Sequence, residues 1–123
     1  LRVLHKSLFT KKQFNFISAT HITMDKYSIH LFHIFVVGAF FIATALHYAT
    51  AVPAMVYTVL GAFIILYHGW RAYGNGWPAI NLFHMLIVGP LLVAFGQMRK
   101  PWMYDAFLAL GAATIGYHGM RLV

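Results

Sequence analysis

The sequence predicts an all-α membrane protein: four transmembrane helices, arranged as two parallel tandem helical-hairpin repeats with pseudo-two-fold symmetry. Three observations predict it. The 123 residues are 61% hydrophobic and 9% charged, whereas a soluble domain carries roughly 25% charged residues, so lipid must form part of the solvent. Four apolar runs of near-spanning length follow one another. The chain also repeats itself. Leu31-Phe32-His33 with Val37-Gly38 returns as Leu82-Phe83-His84 with Val88-Gly89. Leu60-Gly61-Ala62 with Tyr67-His68-Gly69-Trp70-Arg71 returns as Leu110-Gly111-Ala112 with Tyr117-His118-Gly119-Met120-Arg121. The first block is shifted by 51 residues and the second by 50, so one residue is lost within the second copy. A fixed period of this length defines the architectural unit.

Residues 1–27 form a basic tail carrying Arg2, Lys6, Lys11, Lys12 and Lys26. Beside a membrane, such a tail reads as a segment facing lipid headgroups on the cytoplasmic side. It carries no nucleic-acid-binding motif, and no specific nucleic acid is expected as a partner. Met24-Asp25-Lys26 looks like a natural translation start, so residues 1–23 are expected to be a tail, a processed leader or an upstream extension. Their Arg, Lys, Ser and Thr without an acid also fit a mitochondrial presequence, while the lack of an apolar core argues against a secretory signal.

The first hairpin, 28–73, contains apolar runs at 28–48 and 52–73. The second, 78–123, contains runs at 78–97 and 102–123. Each is close to the ~20 residues that cross a bilayer as a helix. Two spans per copy make four. A barrel would need at least ~8 strands, and the runs do not alternate. Pro53, Pro78 and Pro101 stand at expected helix starts, and Gly74-Asn75-Gly76-Trp77-Pro78 is a strong turn. The connections are short, so consecutive helices are expected to be antiparallel neighbours. Trp70, Trp77 and Trp102 are expected to anchor the interfaces, where an indole keeps its ring in lipid and its N–H in water. Arg71 and Arg121 read as anchors whose charged heads reach the headgroups. Lysine and arginine fall seven to two in favour of the side holding both termini, which places that side in the cytoplasm.

Helices in lipid associate by close packing, which small residues permit. Gly38, Gly61, Gly89, Gly111, Ala112 and Gly116 are the expected packing positions, with Ala112 and Gly116 a small-xxx-small pair. Pro90, which replaces Ala39 of the first copy, should bend the third span near Leu86.

An even number of crossings per copy brings His33, His68, His84 and His118 to one depth, on the side of the termini. Ionisable groups at that depth call for an explanation. The leading reading is a hydrogen-bonded layer that fixes helix register, with no cofactor and no metal. The alternatives are haem or a divalent metal held by those four histidines, or proton conduction, which only His47 could extend toward the far side. Asp105 is expected to cap the fourth helix or pair with Arg99 or Lys100. No hydrolase, kinase, nucleotide-binding or zinc-protease motif is present, and no enzymatic function is expected. With no cysteine in the chain, disulfides, iron–sulfur clusters and thiolate zinc sites are excluded.

Within residues 24–123, Ile80-Asn81-Leu82-Phe83-His84 with Val88-Gly89-Pro90, followed by Leu110-Gly111 and Tyr117-His118, resembles the pattern of small tandem-hairpin inner-membrane virion proteins of nucleocytoplasmic large DNA viruses. The first copy departs by Ala39 in place of the proline. The resemblance implies a structural protein of a viral inner membrane derived from host endomembrane, lying beneath an icosahedral capsid. Its partners would be lipid and capsid or other membrane proteins, contacted through Lys11, Lys12 and Lys26 on the basic side, with a homo-oligomer open. The Tyr-His-Gly-x-Arg runs are also similar to the haem-binding membrane anchors of succinate dehydrogenase, with a different His-to-Gly-x-Arg spacing. That similarity implies a subunit of a redox complex.

Overall fold

A computed structural model describes residues 25–123, and these are all helix and connection, with no strand. Four helices follow one another: α1 (Lys26–Ala45), α2 (Ala54–Gly74), α3 (Ala79–Met98) and α4 (Pro101–Met120). By length and composition, α1 and α3 are long and apolar enough to cross a membrane. The expectations for the tail, including contacts by Lys11 and Lys12, lie outside the described residues.

The helix starts follow from local chemistry. Asp25 caps α1, its carboxylate accepting from the Tyr27 N–H at 3.5 Å, which satisfies one of the otherwise unpaired first-turn donors. Pro53 and Pro78 precede α2 and α3 in extended conformations, and Pro101 opens α4. A proline suits these places because its missing N–H would find no helical partner there. Asp105 does not cap α4: the N-cap residue is Lys100, without a side-chain bond, and Asp105 is exposed. At the other end of α3 the chain reverses through Arg99 in the left-handed region, at φ 45°. The turn between α2 and α3 passes through Gly76 at φ 72° and Trp77 at φ 60°.

The short connections make the helices run alternately up and down, but the tightest packing is not within a repeat. It joins α2 to α3 and α1 to α4. Glycine is the reason. A methyl group on Gly61 would lie 2.6 Å from the Gly89 carbonyl oxygen and 2.7 Å from the Val93 nitrogen, and one on Gly89 would lie 2.5 Å from Ile65 Cγ1. Across the other pair, a methyl on Gly111 would meet Ile42 Cδ1 at 2.8 Å, and one on Gly38 would meet Ile115 Cγ1 at 2.6 Å. Positions one repeat apart thus meet like neighbours. Gly96 adds a further approach, where a Cβ would lie 2.7 Å from the Ala54 carbonyl.

Contacts within each repeat are made by larger side chains. Thr44 and Tyr57, both buried, share a 3.1 Å hydrogen bond between α1 and α2. One repeat later the same positions carry Phe95 and Phe107, whose rings meet edge to face at 4.9 Å between α3 and α4. Phe41, Val88, Leu92 and Met103 complete this core.

One expectation is corrected. Ala112 and Gly116 do not pack the bundle. Both are exposed, and a side chain added at Gly116 would meet nothing within 4 Å. The close contact on α4 is made at Gly111, and residues one and five positions further point elsewhere on a helix of 3.6 residues per turn. Around Leu86, where Pro90 was expected to act, the irregularity does not require a proline. The turn preceding Pro90 is widened to π-helix over His84–Val88, but α1 has the same widening over His33–Gly38, where Ala39 stands in place of the proline. Pro90 sits after a widened turn that both copies possess.

The glycine contacts yield a direct test. Gly61→Val should cost about 1–3 kcal/mol, the usual penalty of overpacking, whereas Gly116→Val should stay within about 0.5 kcal/mol. Unfolding midpoints of detergent-solubilised protein in a denaturing-detergent titration check this, and equal effects at the two positions would contradict the packing described.

Candidate functional site: a histidine row

The ends of the helices near residues 30, 68, 84 and 118 bring imidazoles together. His33 stacks on His118 with ring centroids 4.3 Å apart, and His68 stacks on His84 at 4.3 Å. His33 and His84 face each other across the bundle at 6.4 Å, with planes 83° apart. The four rings therefore form a continuous row: His118, His33, His84, His68. The order follows from the glycine contacts. Each stacked pair belongs to two helices whose backbones approach closely, α1 with α4 and α2 with α3, while the central gap lies between α1 and α3. The sequence expectation that these four residues share a level is met, and the structure adds their order.

Each ring is held by a partner. His33 Nδ1 lies 2.7 Å from the Ile29 carbonyl, and His84 Nδ1 lies 2.7 Å from the Ile80 carbonyl, one turn back on the same helix. A carbonyl only accepts, so both Nδ1 atoms carry the proton, and both neutral rings keep a bare lone pair on Nε2. These bonds sit at the first residue of each π turn. His68 Nδ1–H donates to Asn81 Oδ1 at 3.0 Å. His118 Nδ1 lies 2.7 Å from His30 Nδ1, so one of those rings donates and the other accepts.

Sequence reasoning missed His30 and Asn81. They occupy equivalent positions, one repeat apart, and each precedes a row histidine by three residues. That spacing places them on the row's helix face and was available as a signal. Its meaning was hidden because an imidazole and an amide look unlike, although each has both a donor and an acceptor group. Asn81 is 6% exposed, and burying an amide is tolerable only with such a bond.

The other expected residues lie around the row. Arg71 and Arg121 lie over the rings of Tyr67 and Tyr117, at 6.0 and 5.3 Å from their centres, and Arg71 donates to the Tyr67 hydroxyl at 3.4 Å. Lys26 is exposed above Tyr27 at 5.6 Å. Trp70, Trp77 and Trp102 are exposed. His47 is at the opposite end, its ring 4.2 Å from that of Tyr104, and does not extend the row. Arg99, expected as a partner of Asp105, turns back over the rings of Tyr57 and Phe95 at 5.7 and 5.6 Å and donates to the Val52 carbonyl at 3.1 Å.

Among the described residues, no group of three or more His, Cys, Asp or Glu side chains is arranged to hold a metal ion. A porphyrin is a poor fit between His33 and His84, because each already has a ring stacked on it at 4.3 Å. What the arrangement does supply is a hydrogen-bonded tie between the two copies at one level. Comparison with known protein families, curated proteins and solved structures finds no match.

Asn81→Leu removes the acceptor of His68 and should destabilise the bundle by about 0.5–2 kcal/mol, the scale of hydrogen bonds between membrane helices. Asn81→His, which installs the residue of the other copy, should recover at least half of that loss in the same unfolding titration. No recovery would show that volume, rather than the hydrogen bond, matters there.

Proposed function

We propose that the chain is a structural integral membrane protein in which all four helices cross the bilayer, as two tandem repeats related by a pseudo-two-fold axis along the membrane normal. The outer surface carries this reading. Met55, Val59, Phe63, Leu66, Trp70 and Tyr73, spaced along the outer side of α2, are each at least 60% exposed. An apolar stripe along a whole helix is an aggregation hazard in water and an ordinary surface in lipid. The matching glycine contacts and ring stacks of the two copies support the symmetry. The histidine row, on this reading, is a register device: its partners are satisfied only when the four helices stand at the right relative heights.

The membrane is proposed to be the inner membrane of a large DNA virus, on the strength of the motifs in residues 80–118. The basic side holding the helix starts of α1 and α3 would face capsid or other membrane proteins. Lys26 stands exposed there, and Lys11 and Lys12 precede it in the chain.

Because the chain has no cysteine, single cysteines report topology cleanly. In sealed vesicles, Asn75→Cys and Val123→Cys should react with an impermeant maleimide from one side, and Thr50→Cys and Lys100→Cys only from the other. Labelling of Asn75→Cys and Thr50→Cys from the same side would refute four crossings. In intact particles, a lysine-reactive cross-linker should join Lys11, Lys12 or Lys26 to capsid protein, and cross-links to membrane proteins alone would remove the capsid from the proposal.

A further inference from the structure

We propose that the end of the bundle opposite the histidine row holds a binding site for a single chloride ion, seated against Arg99. A cavity of about 20 Å³ lies there, with Thr44, His47, Tyr57, Phe95, Arg99 and Tyr104 in its wall. All four helices contribute to it. Thr44 stands in the last turn of α1, Tyr57 in the first turn of α2, Phe95 in the last turn of α3 and Tyr104 in the first turn of α4. The cavity is therefore a product of the folded bundle and not of one stretch of chain.

The charge at this cavity has no counterpart in the chain. Arg99 is partly buried. Its guanidinium lies over the rings of Tyr57 and Phe95 and donates once, to the Val52 carbonyl at 3.1 Å. Ring faces and a carbonyl attract a cation without cancelling its charge. The sequence has two acids, and neither serves. Asp25 caps α1 at the other end of the bundle, and Asp105 is exposed and makes no bond to Arg99. Among the described residues, no buried side-chain nitrogen or oxygen lacks a partner. Arg99 Nε and Nη1, which bond no described residue, are therefore reachable from outside the protein.

The hydroxyls beside Arg99 ask for an acceptor as well. Thr44 and Tyr57 are both buried and share one 3.1 Å bond. Each hydroxyl carries one proton. One proton fills that bond, and the other has no acceptor among the described residues. A group that accepts a hydrogen bond and carries negative charge meets both needs, whereas water accepts the proton and leaves the charge uncompensated. Size then selects the anion. About 10–15 Å³ admits one water-sized group, so a cavity of about 20 Å³ admits a single atom of that order. Phosphate and sulfate, with four oxygens each, are too large for it. Chloride is the abundant monatomic anion. The site does not depend on how many helices cross a bilayer, so its failure and that of the proposed topology are distinguishable.

The test uses the full chain in detergent, unfolded in a series of sodium salts at constant sodium concentration. Replacing gluconate by chloride should stabilise the fold as binding at one site does. Above half-saturation, the folded-to-unfolded ratio should rise about tenfold for each tenfold rise in chloride. Bromide should substitute for chloride. Sulfate, which stabilises folded proteins generally by exclusion from their surface, should give no saturable gain. Arg99→Gln should remove the chloride dependence, while Arg71→Gln, at the histidine end, should leave it unchanged. A measurement on the unaltered chain covers the case in which Arg99→Gln does not fold: the chlorine NMR line of dissolved chloride should broaden on adding protein and narrow again on adding bromide. No chloride dependence, which would leave the cavity to water, an equal saturable gain from sulfate, a dependence that survives Arg99→Gln, or a line that bromide does not narrow would each overturn the proposal.

Discussion

Everything in this bundle depends on how closely two pairs of helix backbones can approach. For helices that lie in lipid, as proposed, there is little hydrophobic drive for one to seek another, because the solvent is as apolar as the side chains. Attraction must come from contacts at short range, and dispersion falls steeply with distance. Gly61 and Gly89 bring the backbones of α2 and α3 to a separation that no Cβ would permit, and Gly38 and Gly111 make room for Ile115 and Ile42 between α1 and α4. These positions set the two tight interfaces, and both interfaces join one repeat to the other. A repeat in this protein is a unit of sequence whose best partner is its copy.

The row of imidazoles is a consequence of that approach. Stacking at 4.3 Å requires two helices to present rings at the same height and with little room between. The glycines provide the closeness, and the widened turns that begin at His33 and His84 place those rings over the carbonyls of Ile29 and Ile80. A π turn is rare and tends to occur where a side chain has a particular task. Two of them at equivalent places, each beginning at a ring with its Nδ1 tied down, link backbone geometry to ring orientation. Packing, backbone irregularity and the polar row are therefore one device seen at three levels.

Much of this was legible in the sequence, and the failures have a common origin. Helix number, their approximate limits and the shared level of four histidines followed from apolar runs, prolines and the repeat. The glycines at 38, 61, 89 and 111 were legible because their repetition marked them. Ala112 and Gly116 were misread because small size permits close packing without causing it: only the direction in which a residue points decides, and α4 is apolar on all sides, so periodicity could not orient it. The roles of His30 and Asn81 were obscured by their different chemistry, and Arg99, expected as a partner of Asp105, instead lies over Tyr57 and Phe95. The widened turns left no trace in composition at all. Pro90 drew attention to the right region for a reason that the first copy shows to be unnecessary.

The two copies do not resemble each other equally along their length. At the histidine end, ring stacks match at 4.3 Å and the ring-to-carbonyl bonds match at 2.7 Å. At the other end the hydrogen-bonded Thr44–Tyr57 pair of one copy is the Phe95–Phe107 contact of the other, and Arg99 closes over rings with no equivalent arginine at Tyr48. A bundle that had only to hold together could vary at either end, since an apolar pair and a satisfied polar pair are nearly interchangeable in stability. The far end has varied in this way. The histidine end retains four polar rings in apolar surroundings, each needing its partner, where leucine or phenylalanine would pack with fewer requirements. That difference places the more demanding constraint at the row.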